Sequence, residues 1–326
     1  MQHRRSFLLS VGALAALGSC KRDGAGGASG KPRIAVIPKG TTHEFWKTVH
    51  AGVKKAAAED GLDAVWKGPL KEDDLKAQIE LVQSFVAQKV AGIVLAPLSD
   101  RALVSPVKAA KAAGIPVVIF DSALQGEEHD AFVATDNLAA GKLAAEEMVK
   151  TLGGKGKIVV LRYQEGSAST MEREKGFLDA IRGQGGIEVV SDNQYGGATT
   201  ESAFSTSESL LTARQAASGG VDGIFTPNES TTFGMLLALR KANLAGKLKF
   251  IGFDASDKLV EGVKQGHLHA IVLQNPMKIG YLAVKTAGKL LRKEAVERRI
   301  DTGAQLVTAG NLGDDAVKEL LRPPVE

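Results

Sequence analysis

From Arg33 onward the chain alternates short, wholly apolar runs with longer amphipathic ones, and this rhythm constrains the fold more than any single residue does. RIAVI (33–37), DAVW (63–66), GIVLA (92–96), VVIF (117–120) and FVA (132–134) read as strands, as do KIVVL (157–161), EVV (188–190), GIFT (223–226), KFIGF (249–253) and AIVL (270–273). Most are β-branched and apolar throughout, which suits parallel strands covered on both faces. Between them Phe45, Val49, Val53 and Ala57 recur at helical spacing over 44–60, and comparable patterns cover 75–88, 103–113, 138–152, 202–217 and 233–242. Repeated βα units impose right-handed crossovers and a doubly wound parallel sheet. Ten strands are too many for one such sheet in a chain this size, and the rhythm restarts at Lys155 after LGGKG. The pattern therefore predicts an α/β protein of two doubly wound parallel-sheet lobes.

The N-terminus points to a compartment. Arg4 and Arg5 precede an uncharged run from Ser6 to Ser19, too short to span a bilayer as a mature helix, so residues 1–19 read as an export signal. The stretch Arg4-Arg5-Ser6-Phe7-Leu8 resembles a twin-arginine signal. Leu17-Gly18-Ser19-Cys20 resembles a lipobox whose cysteine becomes the lipidated N-terminus; an ordinary cleaved signal with an incidental cysteine is the alternative. Cys20 is the only cysteine, so no intrachain disulfide is possible and stability must come from the core. Residues 20–31, KRDGAGGASGK after the cysteine, are rich in Gly, Ser and Ala and predict a flexible tether. A lipid on Cys20 would be the only membrane attachment, since no later segment is long and apolar enough to cross.

The 41 basic and 37 acidic side chains come nearly into balance once Arg4 and Arg5 are removed with the signal. No basic stripe interleaved with aromatics is present, which argues against nucleic acid as a partner. Familiar catalytic patterns also fail. His43-Glu44 could begin a zinc-protease helix, but position 47 is Lys. His267 and His269 form an H-x-H with no acidic or cysteine partner nearby in sequence, so they read as strand-edge residues rather than metal ligands. Ser167 and Ser169 lack the flanking glycines of a nucleophile elbow, and Gly141-Lys142 and Gly153-Gly154-Lys155 lack the spacing of a phosphate loop. The reading is of a protein without catalytic residues, metal or cofactor.

An open parallel sheet places its ligand beyond the carboxyl ends of its strands. At those positions the chain carries Thr42-His43-Glu44-Phe45-Trp46 after the first run, Asp121 after VVIF, Arg173 after KIVVL, Asn228 after GIFT, Asp254 after KFIGF and Gln274 after AIVL. Carboxylates, amides and a guanidinium each pair vicinal hydroxyls, and aromatic faces cover the less polar side of a sugar ring. Each has a plainer alternative. Asp121, Asn228 and Asp254 could open turns or cap helices, Phe45 could belong to the core with Val49 and Val53, and Arg173 could sit on a solvated helix face.

In order along the chain, RIAVIPKGTTHEFW, GIVLAP, GIPVVIFDS, FVATDN, MEREKGF, GIFTPNE, FIGFDAS and LHAIVLQNPMKIGYLAV resemble the type I periplasmic sugar-binding proteins of ABC transporters, closest in pattern to the ribose-binding group. The resemblance implies that His43, Phe45 and Trp46 supply a polar group and stacking rings, and that Asp121, Arg173, Asn228, Asp254 and Gln274 bind hydroxyls. Tyr195 would be the second lobe's aromatic. His43-Glu44 stands where ribose-type members have Asn-Pro, and Ser122 where they have an arginine, so ribose itself is not implied. The resemblance also places lobe 1 at 32–135 plus 275–304 and lobe 2 at 136–274 plus 305–326, joined by three hinge segments. It implies a monomer that captures a monosaccharide or polyol outside the cytoplasm and delivers it to an ABC permease. A binding protein that presents its ligand to a chemoreceptor or membrane kinase is the alternative, whereas a LacI-type regulator would carry a helix-turn-helix where this chain has an export signal. Cys20→Ser should abolish acyl labelling and release the protein into the soluble extracytoplasmic fraction. Replacing Arg4 and Arg5 together by Lys should block export; normal export of that variant would favour the general secretory route.

Overall fold

The computed structural model describes residues 30–321; the export signal, Cys20 and nearly all of the tether lie outside the described residues. Two six-stranded sheets carry the fold. The first contains β1 (Arg33–Ile37), β2 (Asp63–Trp66), β3 (Gly92–Leu95), β4 (Val117–Phe120), β5 (Ala131–Ala134) and β11 (Arg299–Asp301), in spatial order 11-5-4-3-1-2. The second contains β6 (Gly156–Arg162), β7 (Ile187–Tyr195), β8 (Gly223–Phe225), β9 (Lys249–Phe253), β10 (Ala270–Gln274) and β12 (Ala304–Thr308), in order 12-10-9-8-6-7. All pairings are parallel except β10 with β12. Each order reverses direction beside its first strand, which opens a crevice at the carboxyl edge of each sheet.

All ten strands read from the sequence are present, and two were missed. RID and AQLVT are short edge strands with mostly exposed or half-buried residues, so they lack the apolar signature of central strands. The expected EVV is the start of a nine-residue strand, β7, whose polar half, SDNQY, lies on the outer edge of its sheet. The helices are α1 (Glu44–Asp60), α2 (Leu75–Ala87), α3 (Val104–Ala112), α4 (Asn137–Leu152), α5 (Ala168–Arg182), α6 (Thr200–Ala213), α7 (Glu229–Lys241), α8 (Asp257–Lys264), α9 (Pro276–Leu291) and α10 (Asp315–Leu321). Helix α7 begins four residues before the expected start because the Asn228 side chain caps it, accepting from the Thr231 N–H. Among these helices, no one is long and apolar enough to cross a membrane.

The chain passes between sheets after β5, after β10 and between β11 and β12. The first and last of these passages run side by side. Thr302 N–H donates to Ala134 O at 3.1 Å, Asp136 N–H to Asp301 Oδ1 at 3.0 Å, and Thr135 Oγ1 to Gly303 O at 3.3 Å. Helix pairs cover the sheets, and they approach closely enough to need glycine. A Cβ on Gly141 of α4 would collide with the carbonyl of Arg173 in α5, and one on Gly280 of α9 with that of Val49 in α1. The α4–α5 contact matters most, because it sets how far Arg173 stands from the sheet edge. Gly141→Ala should cost about 1–3 kcal/mol in urea denaturation, and should also weaken ligand binding through displacement of Arg173.

Candidate functional site

The two carboxyl edges face each other, and the side chains between them bond across the seam. Lys39, just after β1, directs its ammonium at Asp121 Oδ2 (3.4 Å) within the first lobe and donates to Ser167 and Ser169 Oγ of the second, each at 3.0 Å. Glu72, in the loop after β2, accepts from Trp46 Nε1 (2.6 Å) and His43 Nδ1 (2.9 Å) of its own lobe and from the Tyr163 hydroxyl (2.6 Å) of the other. Glu229, the first residue of α7, reaches back over the N-terminus of α1 and accepts from Phe45 N–H at 3.1 Å and Glu44 N–H at 3.4 Å. Ser122 Oγ accepts from Ser169 N–H at 3.1 Å. These bonds hold the lobes closed on a cleft.

The cleft is lined by His43, Phe45, Trp46, Asp121, Arg173, Asn228, Asp254 and Gln274, the residues that the strand-end pattern singles out. It is also lined by Lys39, Glu72, Tyr163, Ser169, Thr170 and Glu229, which that pattern passed over. Asp121 and Asp254 take left-handed backbone (φ 61° and 65°) directly after β4 and β9, which turns each carboxylate back over its sheet edge. Neither is an N-cap residue of the helix that follows it, though Asp254 Oδ2 accepts from the Glu229 N–H at the start of α7 (3.0 Å); Asn228 caps α7 with its Oδ1 and lines the cleft as well. Arg173 is not on a solvated face. It is 2 % exposed, donates from Nε to Asn137 Oδ1 (2.8 Å) and from Nη1 to Pro227 O (2.9 Å), and lies 4.1 Å over the Phe253 ring. Phe45 and Trp46 pack edge to face at 4.9 Å and join the core of Val49 and Val53 while also facing the cleft, so both readings of Phe45 hold.

Two residues are placed differently from expectation. Tyr195 is not among the residues lining the cleft; it ends the edge strand β7, 40 % exposed, with the Arg162 guanidinium 5.1 Å from its ring. Tyr163, one residue past β6, is the buried aromatic that the second lobe brings to the cleft. Ser122 is fully buried in the lobe contact and does not line the cleft, and the cation beside Asp121 comes instead from Lys39. Elsewhere, folding brings His269 an acid that the sequence did not show: its Nε2 lies 3.1 Å from Glu147 Oε1 and 2.7 Å from Thr151 Oγ1. Among the described residues no cluster of His, Cys, Asp and Glu could hold a metal ion.

Two atoms of the cleft have no partner in the protein although buried, Arg173 Nη2 and Gln274 Oε1. The first needs an acceptor and the second a donor, and a hydroxyl group supplies either. The remaining polar atoms are shaped by burial. Burial alone would lower the His43 imidazole, but its bond to Glu72 and the neighbouring acids raise it to about 9. Burial would likewise raise Glu72, and the His43 bond and charge, Lys39 and Tyr163 overcome it and hold the carboxyl at about 2. Burial pushes Asp121 and Asp254 up, against Lys39 for the first and Arg173 for the second. Burial also pushes Glu229 up to about 7, with only partial relief from His43 and the Phe45 N–H.

The His43–Glu72 pair implies a pH window. The His43 contribution is complete below about 6.5 and is lost as pH rises through about 9; the Glu72 contribution is complete above about 4.5 and is lost as pH falls through about 2. The pair is therefore at full strength between about pH 4.5 and 6.5. An NMR titration should find His43 still protonated at pH 8 in the wild type. Glu72→Gln should lower its midpoint, since burial is then opposed only by the smaller pulls of Glu229 and Asp254; an unchanged midpoint would show that the pair does not form.

Comparison with known proteins agrees with this geometry. A family model described as a periplasmic binding protein domain matches residues 34–295. The chain is 28 % identical to the ribose import binding protein of Haemophilus influenzae, over 86 % of this chain and 93 % of that one. It is 29 % identical to the D-ribose/D-allose-binding protein of Pseudomonas aeruginosa, over 86 % and 89 %. Among solved structures, an ABC transporter solute binding protein from Agrobacterium vitis with bound D-fucose superposes with a TM-score of 0.85 at 39 % identity, covering 89 % of this chain and all of that one. A carbohydrate transporter solute binding protein from Agrobacterium radiobacter in complex with D-arabinose gives 0.84 at 32 % identity, covering 90 % and 99 %.

Proposed function

Because the chain belongs to the periplasmic binding protein family, among sugar-binding components of ABC transport, we propose that it captures a monosaccharide or polyol in the interlobe cleft and hands it to an ABC permease. It is a binding protein and not an enzyme, and its family works outside the cytoplasm. The observation that carries the reading is the pair of unpartnered buried atoms, Arg173 Nη2 and Gln274 Oε1, contributed by α5 and β10 to one cleft. A hydroxylated ring satisfies both while Phe45 and Trp46 cover its apolar face. Asp121 with Lys39 would hold one side of the ring, and Arg173, Asn228, Asp254 and Gln274 the other. Boundaries at 32–135 plus 275–304 for one lobe and 136–274 plus 305–326 for the other would make the three passages between sheets the hinge. Closure would assemble the lobe-to-lobe bonds of Lys39, Glu72 and Glu229, so the closed form would be both the tight-binding state and the surface a permease recognises. The molecule would act as a monomer, tethered through a lipid on Cys20 after export by the twin-arginine signal.

A thermal-shift screen of D-fucose, D-arabinose, D-ribose, D-allose and polyols should yield at least one ligand that raises the unfolding temperature. Asp121→Asn and Asp254→Asn keep a residue that tolerates left-handed backbone while removing the charge. Each should weaken calorimetric binding of that ligand by about 2 kcal/mol. Unchanged affinity in both variants would place the ligand elsewhere.

A further inference from the structure

The cleft's charges are unequally matched. Each cation facing it is committed to a carboxylate of the protein: His43 to Glu72 at 2.9 Å, Lys39 to Asp121 at 3.4 Å and Arg173 to Asp254 at 4.0 Å. Lys39 is occupied further by two serine hydroxyls, and Arg173 by Asn137 and the Pro227 carbonyl. Glu229 is the fourth acid, and among the described residues no cation stands within 4.0 Å of it; its oxygens accept only main-chain N–H groups at the start of α1. A ligand carboxylate or phosphate could accept from Arg173 Nη2, which has no protein partner, but the charge of each cation is already matched by an acid, and with Glu229 ionised the ligand would face an excess negative charge in a seam where Coulomb repulsion is several times stronger than in water. One of the two unpartnered atoms points the same way. Gln274 Oε1, in a side chain 4 % exposed, needs a donor, which a hydroxyl has and an ionised carboxylate lacks.

Resting on the sugar-binding reading above, we propose that Glu229 is the specificity-determining residue that makes this cleft reject sugar acids in favour of uncharged sugars. One carboxylate does two things: it joins α7 to the N-terminus of α1 across the seam, and it leaves the closed cleft with four acids against three bases. Rejection therefore depends on the ionisation of Glu229. The charged groups around it are His43 just before α1, Glu44 and Lys47 from α1, Glu72 from the loop after β2, Asp121 after β4, Arg173 from α5 and Asp254 after β9. Glu229, at about 7, changes charge between pH 6 and 8; His43 stays protonated and Glu72 ionised across that range.

The experiment pairs the uncharged monosaccharide that binds in the screen with the uronate formed by oxidising its terminal carbon, for D-fucose D-galacturonate, and measures both by calorimetry at pH 6 and pH 8. At pH 8 the uronate should bind about a hundredfold more weakly than its neutral parent. The gap should narrow at pH 6 as Glu229 takes a proton. Glu229→Gln keeps one acceptor for α1, so both affinities should fall modestly, but the gap should shrink at least about tenfold and lose its pH dependence. A gap that is the same at both pH values and in Glu229→Gln would mean that shape excludes the acid, and would overturn the proposal while leaving sugar binding intact. So would a uronate that binds as well as its parent. If no uncharged sugar binds at all, the sugar-binding reading fails and this inference with it.

Discussion

The seam between the lobes depends on one buried carboxylate. Glu72 collects a His43 ring N–H, the Trp46 indole N–H and the Tyr163 hydroxyl on two oxygens, and its main-chain carbonyl takes the Gln164 side chain at 2.9 Å. A carboxylate out of water is costly unless several donors and a counter-ion surround it, and here three donors, one of them the His43 cation, do so. Two of the four partners come from the second lobe, so closure adds the Tyr163 hydroxyl to the His43 and Lys39 charges of its own lobe that keep Glu72 ionised. The same bonds set the direction of the Trp46 ring, so the stacking surface and the closed state are made by one group.

Lys39 and Glu229 repeat this logic on either side of Glu72. Each is a charged side chain whose partners lie partly in the opposite lobe, and each is close to fully buried or half-buried in the seam. Lys39 also explains how Ser122 can stand beside Asp121. The ammonium, arriving from β1, neutralises the carboxylate that an arginine at position 122 would otherwise face, and the freed serine becomes a lobe-to-lobe acceptor for Ser169 N–H.

The fold was legible because parallel strands buried on both faces have to be apolar throughout, and the ten runs read as strands between Arg33 and Leu273 are all strands. What escaped notice was the edge: RID, AQLVT and the polar half of β7 pair on one side only and carry no such signature. The site was legible for the same topological reason, since residues at or just beyond a strand end must face the crevice; Asp121, Asp254 and Gln274 are there. Glu72 and Glu229 were not found because nothing local distinguishes them, one in a charged loop and the other at an ordinary helix start, and only the meeting of the lobes gives them partners. Lys39 and Tyr163 could have been found, as each follows a recognised strand within two residues. Tyr195 was drawn to the cleft by resemblance alone, and the length of β7 carries it away to the sheet edge.

The central claim is that ligand is held by two lobes closing about the three passages between the sheets. Small-angle X-ray scattering of the exported protein, recorded without ligand and then at saturation with the sugar found to bind, tests it most directly. The account predicts a smaller radius of gyration with ligand, and a scattering curve in the saturated state that matches the closed structure. Saturable binding with an unchanged radius of gyration would contradict it, and would make the bonds of Glu72 across the seam a fixed part of the fold instead of the product of closure.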